Sequence, residues 1–167
     1  MAEGAILVAF VALQRVVELA LARWNTRHLI AAGGVEFGRS HYPVMVALHT
    51  AWLLGLLWFG RSRAVDPVLL GVFILLQAGR VWVIASLGRR WTTRIIVLPN
   101  APLIASGPYR WLQHPNYLIV ALEIAVVPLA LGMPVFAAVF TVLNGALLYH
   151  RIRAENAALA AAAEPGQ

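Results

Sequence analysis

The chain has 167 residues, of which 61% are hydrophobic and only 12% are charged, and its mean hydropathy is +0.77. These values lie outside the usual range of soluble globular domains, so the composition predicts one polytopic membrane domain covering 1–167. The net charge is +6, but all thirteen basic residues are arginines and most of them lie near the ends of apolar segments, which favours membrane orientation over nucleic-acid binding. The chain has no cysteine, which excludes disulfides, thiolate catalysis and cysteine-based metal sites.

Five apolar stretches are each long enough to cross a bilayer as a helix of about 20 residues, which predicts an all-α polytopic helix bundle. They run from Gly4 to Ala22, Tyr42 to Gly60, Pro67 to Leu87, Pro115 to Leu131 and Pro134 to His150. The first lacks a positively charged leader and a small-residue cleavage site, so we expect it to stay in the membrane. The alanine-rich run Ala157 to Ala163, before Pro165-Gly166, predicts a separate C-terminal helix.

The arginines predict which way the chain crosses the membrane. With five spans, one side receives only Arg61 and Arg63. The other side receives nine arginines from the first loop, the third loop and the tail, namely Arg23, Arg27, Arg39, Arg89, Arg90, Arg94, Arg110, Arg151 and Arg153. This asymmetry predicts a multi-pass inner-membrane protein with its N-terminus outside and its C-terminus in the cytoplasm.

The third loop, Gly88 to Gln113, is long and carries structure signals of its own. Its β-branched run Thr92 to Leu98 is followed by Pro99-Asn100, which predicts a short extended segment and a turn against the membrane face. Pro108 and Pro115 stand where helices could begin, because proline suits the first helical turn. We expect a short helix from Pro108 and the fourth span from Pro115.

Polar side chains interrupt the apolar spans at a shared depth. They are Gln14, Arg15, Glu18, His49, Gln77, Arg80, Glu123 and Asn144. At 1.5 Å per residue, each lies roughly 6 to 16 Å below the cytoplasmic face, which predicts a polar cavity open to the cytoplasm. Within it we expect Glu123 to pair with an arginine, because a lone carboxylate there would be costly. Snorkelling arginines and a local pair between Arg15 and Glu18 are the structural alternative.

Two motif blocks flank the last two spans. They are Gly107-Pro108-Tyr109-Arg110 with His114-Pro115-Asn116-Tyr117, and Arg151-Ile152-Arg153-Ala154-Glu155-Asn156. If the last helix continues, Arg151 and Glu155 lie four residues apart on one face, at the cytoplasmic level of His114. On spacing alone, that pair is equally compatible with a surface ion pair.

From Leu87 onward, these blocks resemble the isoprenylcysteine carboxyl methyltransferase family of integral membrane enzymes, which use S-adenosylmethionine. The resemblance implies a cofactor-binding part at about 87–160. It implies cofactor contacts from Gly107, Tyr109, His114, Pro115, Tyr117, Glu155 and Asn156, and catalytic roles for Arg151, Glu155 and His114. The acceptor cavity would then involve Arg15, His49, Arg80, Gln113 and Glu123.

The resemblance implies transfer of a methyl group to an oxygen of a lipid-like acceptor that arrives from the bilayer. The chain departs from the family pattern at two positions, because Gln113 replaces the usual arginine before His-Pro and Asn156 replaces the second glutamate of the tail. Gln113 removes a charge that could bind a substrate carboxylate. The hydroxyl of a long-chain phenol or pyrone, the acceptor class of similar bacterial proteins, is therefore the preferred acceptor, with a carboxyl as the other.

Two other functions are compatible with the same residues. His-Pro-Asn-Tyr also occurs in NADPH-dependent membrane sterol reductases, although their aromatic-rich tail is not seen after Asn156. The chain could also be a non-enzymatic lipid-binding membrane protein, with His114 merely preceding a helix. No pair of histidines has the spacing typical of a metal site, so no metal is expected.

Overall fold

The computed structural model describes residues 3–99 and 101–163, and most of them form five helices. The helices are α1 (Glu3–Ala31), α2 (Tyr42–Gly60), α3 (Pro67–Leu87), α4 (Pro115–Ala130) and α5 (Pro134–Ala163). Two short strands, β1 (Val35–Phe37) and β2 (Ile95–Val97), pair antiparallel, and short 3-10 turns occur at Arg39–His41, Gly88–Arg90 and Gly107–Arg110. The predicted all-α class is confirmed, with this small sheet added at one end of the bundle.

Four of the five helices are long and apolar enough to cross a membrane: α1, α2, α3 and α5. α4 has 16 residues and is therefore about 24 Å long, which is less than the ~30 Å hydrocarbon core of a bilayer. Large apolar side chains such as Leu75, Val135 and Val142 point away from the protein on these helices. That exposure fits a multi-pass membrane protein whose outer surface contacts lipid.

Two predicted boundaries were wrong. The first apolar stretch was predicted to end at Ala22, but α1 continues nine residues further, to Ala31. The more polar residues after Ala22 belong to the same helix. The separate C-terminal helix does not exist, since α5 runs without a break from Pro134 through Ala163 and the alanine-rich tail simply extends the fifth span. Asn100 and Pro165-Gly166, where a turn and the end of the tail were predicted, lie outside the described residues.

Proline, glycine and aspartate set the ends of the helices. Asp66 caps α3, because its carboxylate accepts hydrogen bonds from the backbone N–H groups of Val68 and Leu69 at 2.9 and 3.0 Å. Gly132 has a positive φ of 64° and closes the tight turn between α4 and α5. α3 and α5 both pack against α4, and each runs antiparallel to it.

The end of the bundle that holds Glu3 is closed by direct contacts between loops. The backbone N–H of Asp66 donates to the carbonyl of Ala130 at 2.8 Å, and Arg63 donates to the carbonyl of Gly132 at 2.9 Å. Just inside this end, Trp52 and its apolar neighbours on α1 and α4 form the main core. This half of the bundle is packed with apolar side chains, as expected from the sequence.

The opposite end is covered by the third loop. Asn25 of α1 donates to the carbonyl of Trp91 at 2.6 Å, and the hydroxyls of Thr26 and Thr92 lie 2.9 Å apart. β2 confirms the extended segment expected within Thr92 to Leu98, and it pairs with β1, which sequence patterns did not indicate. The loop is thus held across the same end of the bundle as the His-Pro block.

Candidate functional site

Four charged side chains from three helices meet inside the bundle. Arg15 donates to Glu18 at 2.8 Å and also bonds to Glu123, so α1 and α4 are joined by one guanidinium. Arg80 of α3 donates from Nε to the same Glu123 carboxylate at 2.9 Å, and a second nitrogen contacts its other oxygen. The side-chain amide of Gln77 donates a further hydrogen bond to Glu123, at 2.7 Å. The expected pairing of Glu123 with an arginine is confirmed, and the local pair between Arg15 and Glu18, given above as the structural alternative, is also present.

The charges in this cluster compensate one another. The cluster contains two arginines and two glutamates, and the side chains of Arg80 and Glu123 are 3% and 0% exposed. Arg80 also lies 3.4 Å from Glu18, so each arginine contacts both carboxylates. A set of charges this deeply buried is tolerated because every member has an opposite partner.

The His-Pro block packs against the end of α5. The Nε2–H of His114 and the side-chain amide of Gln113 both donate to Oδ1 of Asn156, at 3.0 and 3.1 Å. The hydroxyl of Tyr117 donates to Glu155 at 2.6 Å, and its ring stacks on the imidazole of His114 with centroids 5.4 Å apart. The two motif blocks of the sequence are therefore in direct contact.

Local backbone chemistry places these side chains. His114 precedes a proline, which keeps it out of the helical conformation (φ −127°, ψ 58°) and turns it away from α4. Gly107 has a positive φ of 57°, and a Cβ there would lie 2.1 Å from the hydroxyl of Ser86. Only glycine fits this position, and the close approach docks the turn carrying Tyr109 onto α3.

Arg151 lies beside this contact. It is 3% exposed, and one of its nitrogens donates to the carbonyl of Thr93 at 2.9 Å. Its guanidinium carbon lies 5.8 Å from the ring centre of Tyr117. Among the described residues, its Nε and Nη1 have no hydrogen-bond partner, although both are buried. A buried cation with two unused donors is suited to bind an anionic group of a ligand.

A cavity of about 850 Å³ connects the motif blocks with the charged cluster. The predicted site residues on its wall are Arg15, His49, Arg80, Tyr109, Gln113, His114, Tyr117, Arg151 and Glu155. Asn116, inside the His-Pro block, also lines it with a buried Oδ1 that lacks a partner in the described chain. Its place in that block was the signal that could have identified it. Thr93 was missed because it takes part through its backbone carbonyl, which no side-chain pattern reveals.

Four predicted site residues do not line the cavity that the described residues enclose: Gly107, Pro115, Glu123 and Asn156. The first two shape the backbone, and Asn156 holds His114 and Gln113 from the outer side. Glu123 was expected on the cavity wall, but it lies behind Arg15 and Arg80 because both arginines turn their charged ends towards it.

The phenol of Tyr109 faces the Glu155 side of the cavity and stays protonated. Burial, with a smaller contribution from the Glu155 carboxylate, raises the pKa of Tyr109 well above its usual value. Tyr109 can therefore donate a hydrogen bond to a ligand but is not available as a base. Among the residues described here, no three histidine, aspartate or glutamate side chains are grouped as a metal site would need.

Comparison with known proteins supports the resemblance of the two blocks. A family model described as the isoprenylcysteine carboxyl methyltransferase (ICMT) family matches residues 69–161. The uncharacterized protein YpbQ of Bacillus subtilis is 36% identical over 167 residues, covering 92% of this chain and 95% of its own length. An uncharacterized protein of Haemophilus influenzae is 24% identical over 141 residues, covering 81% of this chain and 79% of its own. No solved structure matches this chain.

Proposed function

The chain belongs to the isoprenylcysteine carboxyl methyltransferase family, a family of membrane methyltransferases, and on that premise we propose that it is an S-adenosylmethionine-dependent O-methyltransferase. Its acceptor is a lipophilic molecule that presents a phenol, pyrone or carboxyl oxygen. The observation that carries the proposal is the single cavity that joins the His114, Tyr117 and Glu155 contact to a polar chamber inside the bundle. Such a cavity can bring a water-soluble cofactor and a lipid-soluble acceptor together.

The residues around Arg151 fit the cofactor. S-adenosylmethionine carries a carboxylate together with an ammonium and a sulfonium, so its pocket needs both signs of charge. Arg151 offers two buried donors that no described residue uses, and Glu155 offers a carboxylate that contacts Tyr117 and lies 3.8 Å from Nδ1 of His114. Asn116 adds a free buried acceptor. When bound, the cofactor supplies a methyl group on a positively charged sulfur.

The protein's own contribution is to position the acceptor and exclude water. Such positioning supplies most of the effect in a simple displacement. Apolar residues of α2 and α5, including Met45 and Leu148, line the cavity between the two ends, so water is held there less strongly than at the polar ends. If the acceptor oxygen carries a proton, His114 and Glu155 are the groups on this part of the wall that can accept it.

The proposed orientation puts the His-Pro block in the cytoplasm and makes α4 the fourth of five spans. α4 is short, but its last residue, Ala130, accepts a hydrogen bond from the N-cap residue of α3, Asp66. Further along, Ile119 packs against Gly79, so α4 follows most of the length of α3, which is itself long enough to cross. This alignment and the arginine asymmetry support five crossings with the C-terminus inside.

Binding measurements on the purified protein in detergent test the cofactor directly. We expect heat of binding with S-adenosylmethionine and with S-adenosylhomocysteine, and none with NADPH. Glu155→Ala and His114→Ala should each weaken this binding about tenfold or more, since each removes a polar contact on the proposed pocket. Arg61→Ala, in the loop at the other end of the bundle, is the matched surface control and should bind as the wild type does.

Each competing function predicts another result. Binding of NADPH alone would favour a membrane reductase, and binding of neither cofactor would favour a non-enzymatic lipid-binding protein. If Arg61→Ala weakened binding as much as Glu155→Ala, the proposed pocket would be wrong even if the cofactor is right.

A further inference from the structure

The wall of the cavity contributed by α1 and α2 lies outside the part of the chain that the family model matches, which begins at residue 69. This wall supplies Arg15, Glu18 and His49 to the inner end of the cavity. His49 follows Tyr42 by seven residues, so it lies roughly 10 Å deeper than the third loop, where the hydroxyl of Tyr42 lies 3.4 Å from that of Thr93. The inner chamber is therefore a separate polar environment beyond the proposed cofactor pocket.

The hydrogen bonding of His49 defines what it can offer to a ligand. Its Nδ1 lies 2.9 Å from the backbone carbonyl of Met45, one turn earlier on α2. A carbonyl oxygen can only accept, so Nδ1 carries the proton of this bond. In a neutral imidazole the other nitrogen, Nε2, then holds a lone pair, and no described residue donates to it. A side chain on a cavity wall with this pattern is a hydrogen-bond acceptor that needs an O–H or N–H donor.

The charges around this chamber disfavour an anionic ligand. Arg15 and Arg80 are the arginines at its inner end, and both are already neutralised by Glu18 and Glu123. With the cofactor carboxylate on Arg151, as proposed above, a carboxylate that entered this chamber would be buried without an uncompensated cation to balance it, which is costly. A neutral hydroxyl has no such penalty, and it supplies the donor that His49 lacks.

We propose that His49 is a positioning residue that accepts a hydrogen bond from a hydroxyl on the polar head of the acceptor. The charge-compensated chamber thereby selects neutral, hydroxyl-bearing heads over carboxylates. This inference rests on the proposed function, because it presupposes a lipophilic acceptor in this cavity. It goes further by assigning the acceptor contact to α2 and by choosing the hydroxyl over the carboxyl.

Three probes with the same ring and the same alkyl chain separate the contributions. They are 3-pentadecylphenol, its methyl ether 3-pentadecylanisole, which lacks the donor, and 3-pentadecylbenzoate, which carries the charge. Binding to the purified protein in one detergent is followed by quenching of tryptophan fluorescence, with saturating S-adenosylhomocysteine present so that Arg151 is occupied. We expect the wild type to bind the phenol about fivefold more tightly than the anisole, as one net hydrogen bond implies, and to bind the benzoate most weakly.

The variants show whether His49 is responsible for the preference. His49→Phe keeps an aromatic ring but removes the acceptor, so the phenol-to-anisole ratio should fall to about one. His49→Gln restores a carbonyl acceptor and should regain part of the preference. His28→Phe is the matched control, because the Nδ1 of His28 also bonds to the carbonyl four residues earlier, at 2.8 Å, while His28 is exposed and outside the cavity.

Three results would overturn the inference. One is an unchanged ratio of phenol to anisole affinity in His49→Phe. The others are a wild type that binds the benzoate as tightly as the phenol or more tightly, and a wild type that does not bind the phenol. Binding of S-adenosylhomocysteine, measured on every variant, reports the cofactor pocket and correct folding separately. If the wild type binds that cofactor but shows no phenol preference, the inference fails and the methyltransferase proposal stands. If it shows the preference but binds no cofactor, the methyltransferase proposal fails instead.

Discussion

Glu123→Gln should cost the protein much of its stability, because Glu123 is fully buried and bonds to two arginines. Glutamine keeps the shape of the side chain but removes its charge, which leaves Arg15 and Arg80 facing Glu18 alone. Removing one partner from a buried ion pair typically costs about 3–5 kcal/mol. Arg80 is 3% exposed, but the side chain of Arg15 is 17% exposed and reaches the cavity, where water or lipid head groups can partly solvate it. We therefore expect a loss near the lower end, about 3 kcal/mol.

The free energy of unfolding can be measured by titrating the protein with sodium dodecyl sulfate in mixed micelles and following tryptophan fluorescence. Glu36→Gln is the control: the side chain of Glu36 is also buried (7% exposed), but its partners Arg39 and Arg94 are 75% and 38% exposed. Because water can solvate these two arginines when the carboxylate is lost, this variant should lose less stability than Glu123→Gln. Combining Glu123→Gln with Arg80→Gln restores equal numbers of positive and negative charges, so the double variant should be more stable than Glu123→Gln alone.

Two results would refute this reasoning. A loss for Glu123→Gln no larger than that for Glu36→Gln would mean that the cluster is well solvated and that its burial is unimportant. A double variant less stable than either single one would mean that the hydrogen bonds of the cluster matter more than its charge balance.

Two further predictions concern the loop and the topology. Gly107→Ala should destabilise the protein by about 1 kcal/mol or more and weaken cofactor binding, because the added Cβ would collide with Ser86 in a backbone conformation with positive φ. Gly71→Ala is the control, since the space around Gly71 is open, and it should change neither stability nor binding. Thermal unfolding and binding calorimetry of both variants check this. Because the chain has no cysteine, Arg61→Cys and Arg153→Cys can each be labelled with a membrane-impermeant maleimide in intact cells. We expect labelling at position 61 only. Labelling at both positions would show that α4 does not cross the membrane.

The buried cluster was predictable in part. Sequence distances along each span correctly indicated that Glu18, Arg80 and Glu123 share a depth, because the rise of a helix is constant. They did not indicate that Arg15 and Arg80 would turn towards Glu123 and leave it behind the cavity wall. That outcome depends on how three helices are rotated against one another, and no single helix carries this information.

The sequence by itself determined the membrane-helix architecture, the family and the two motif blocks. Composition and helix length decide whether a segment can lie in lipid, and the motifs consist of side chains close together along the chain. Only the tertiary structure decided that α5 is continuous, that β1 pairs with β2, and that the cavity extends from His114 to His49. The strand pairing and the extent of the cavity depend on contacts between distant parts of the chain, which no local pattern records. The continuity of α5 agrees with the helix preference of its alanine-rich tail, and only the structure shows that no break precedes that tail.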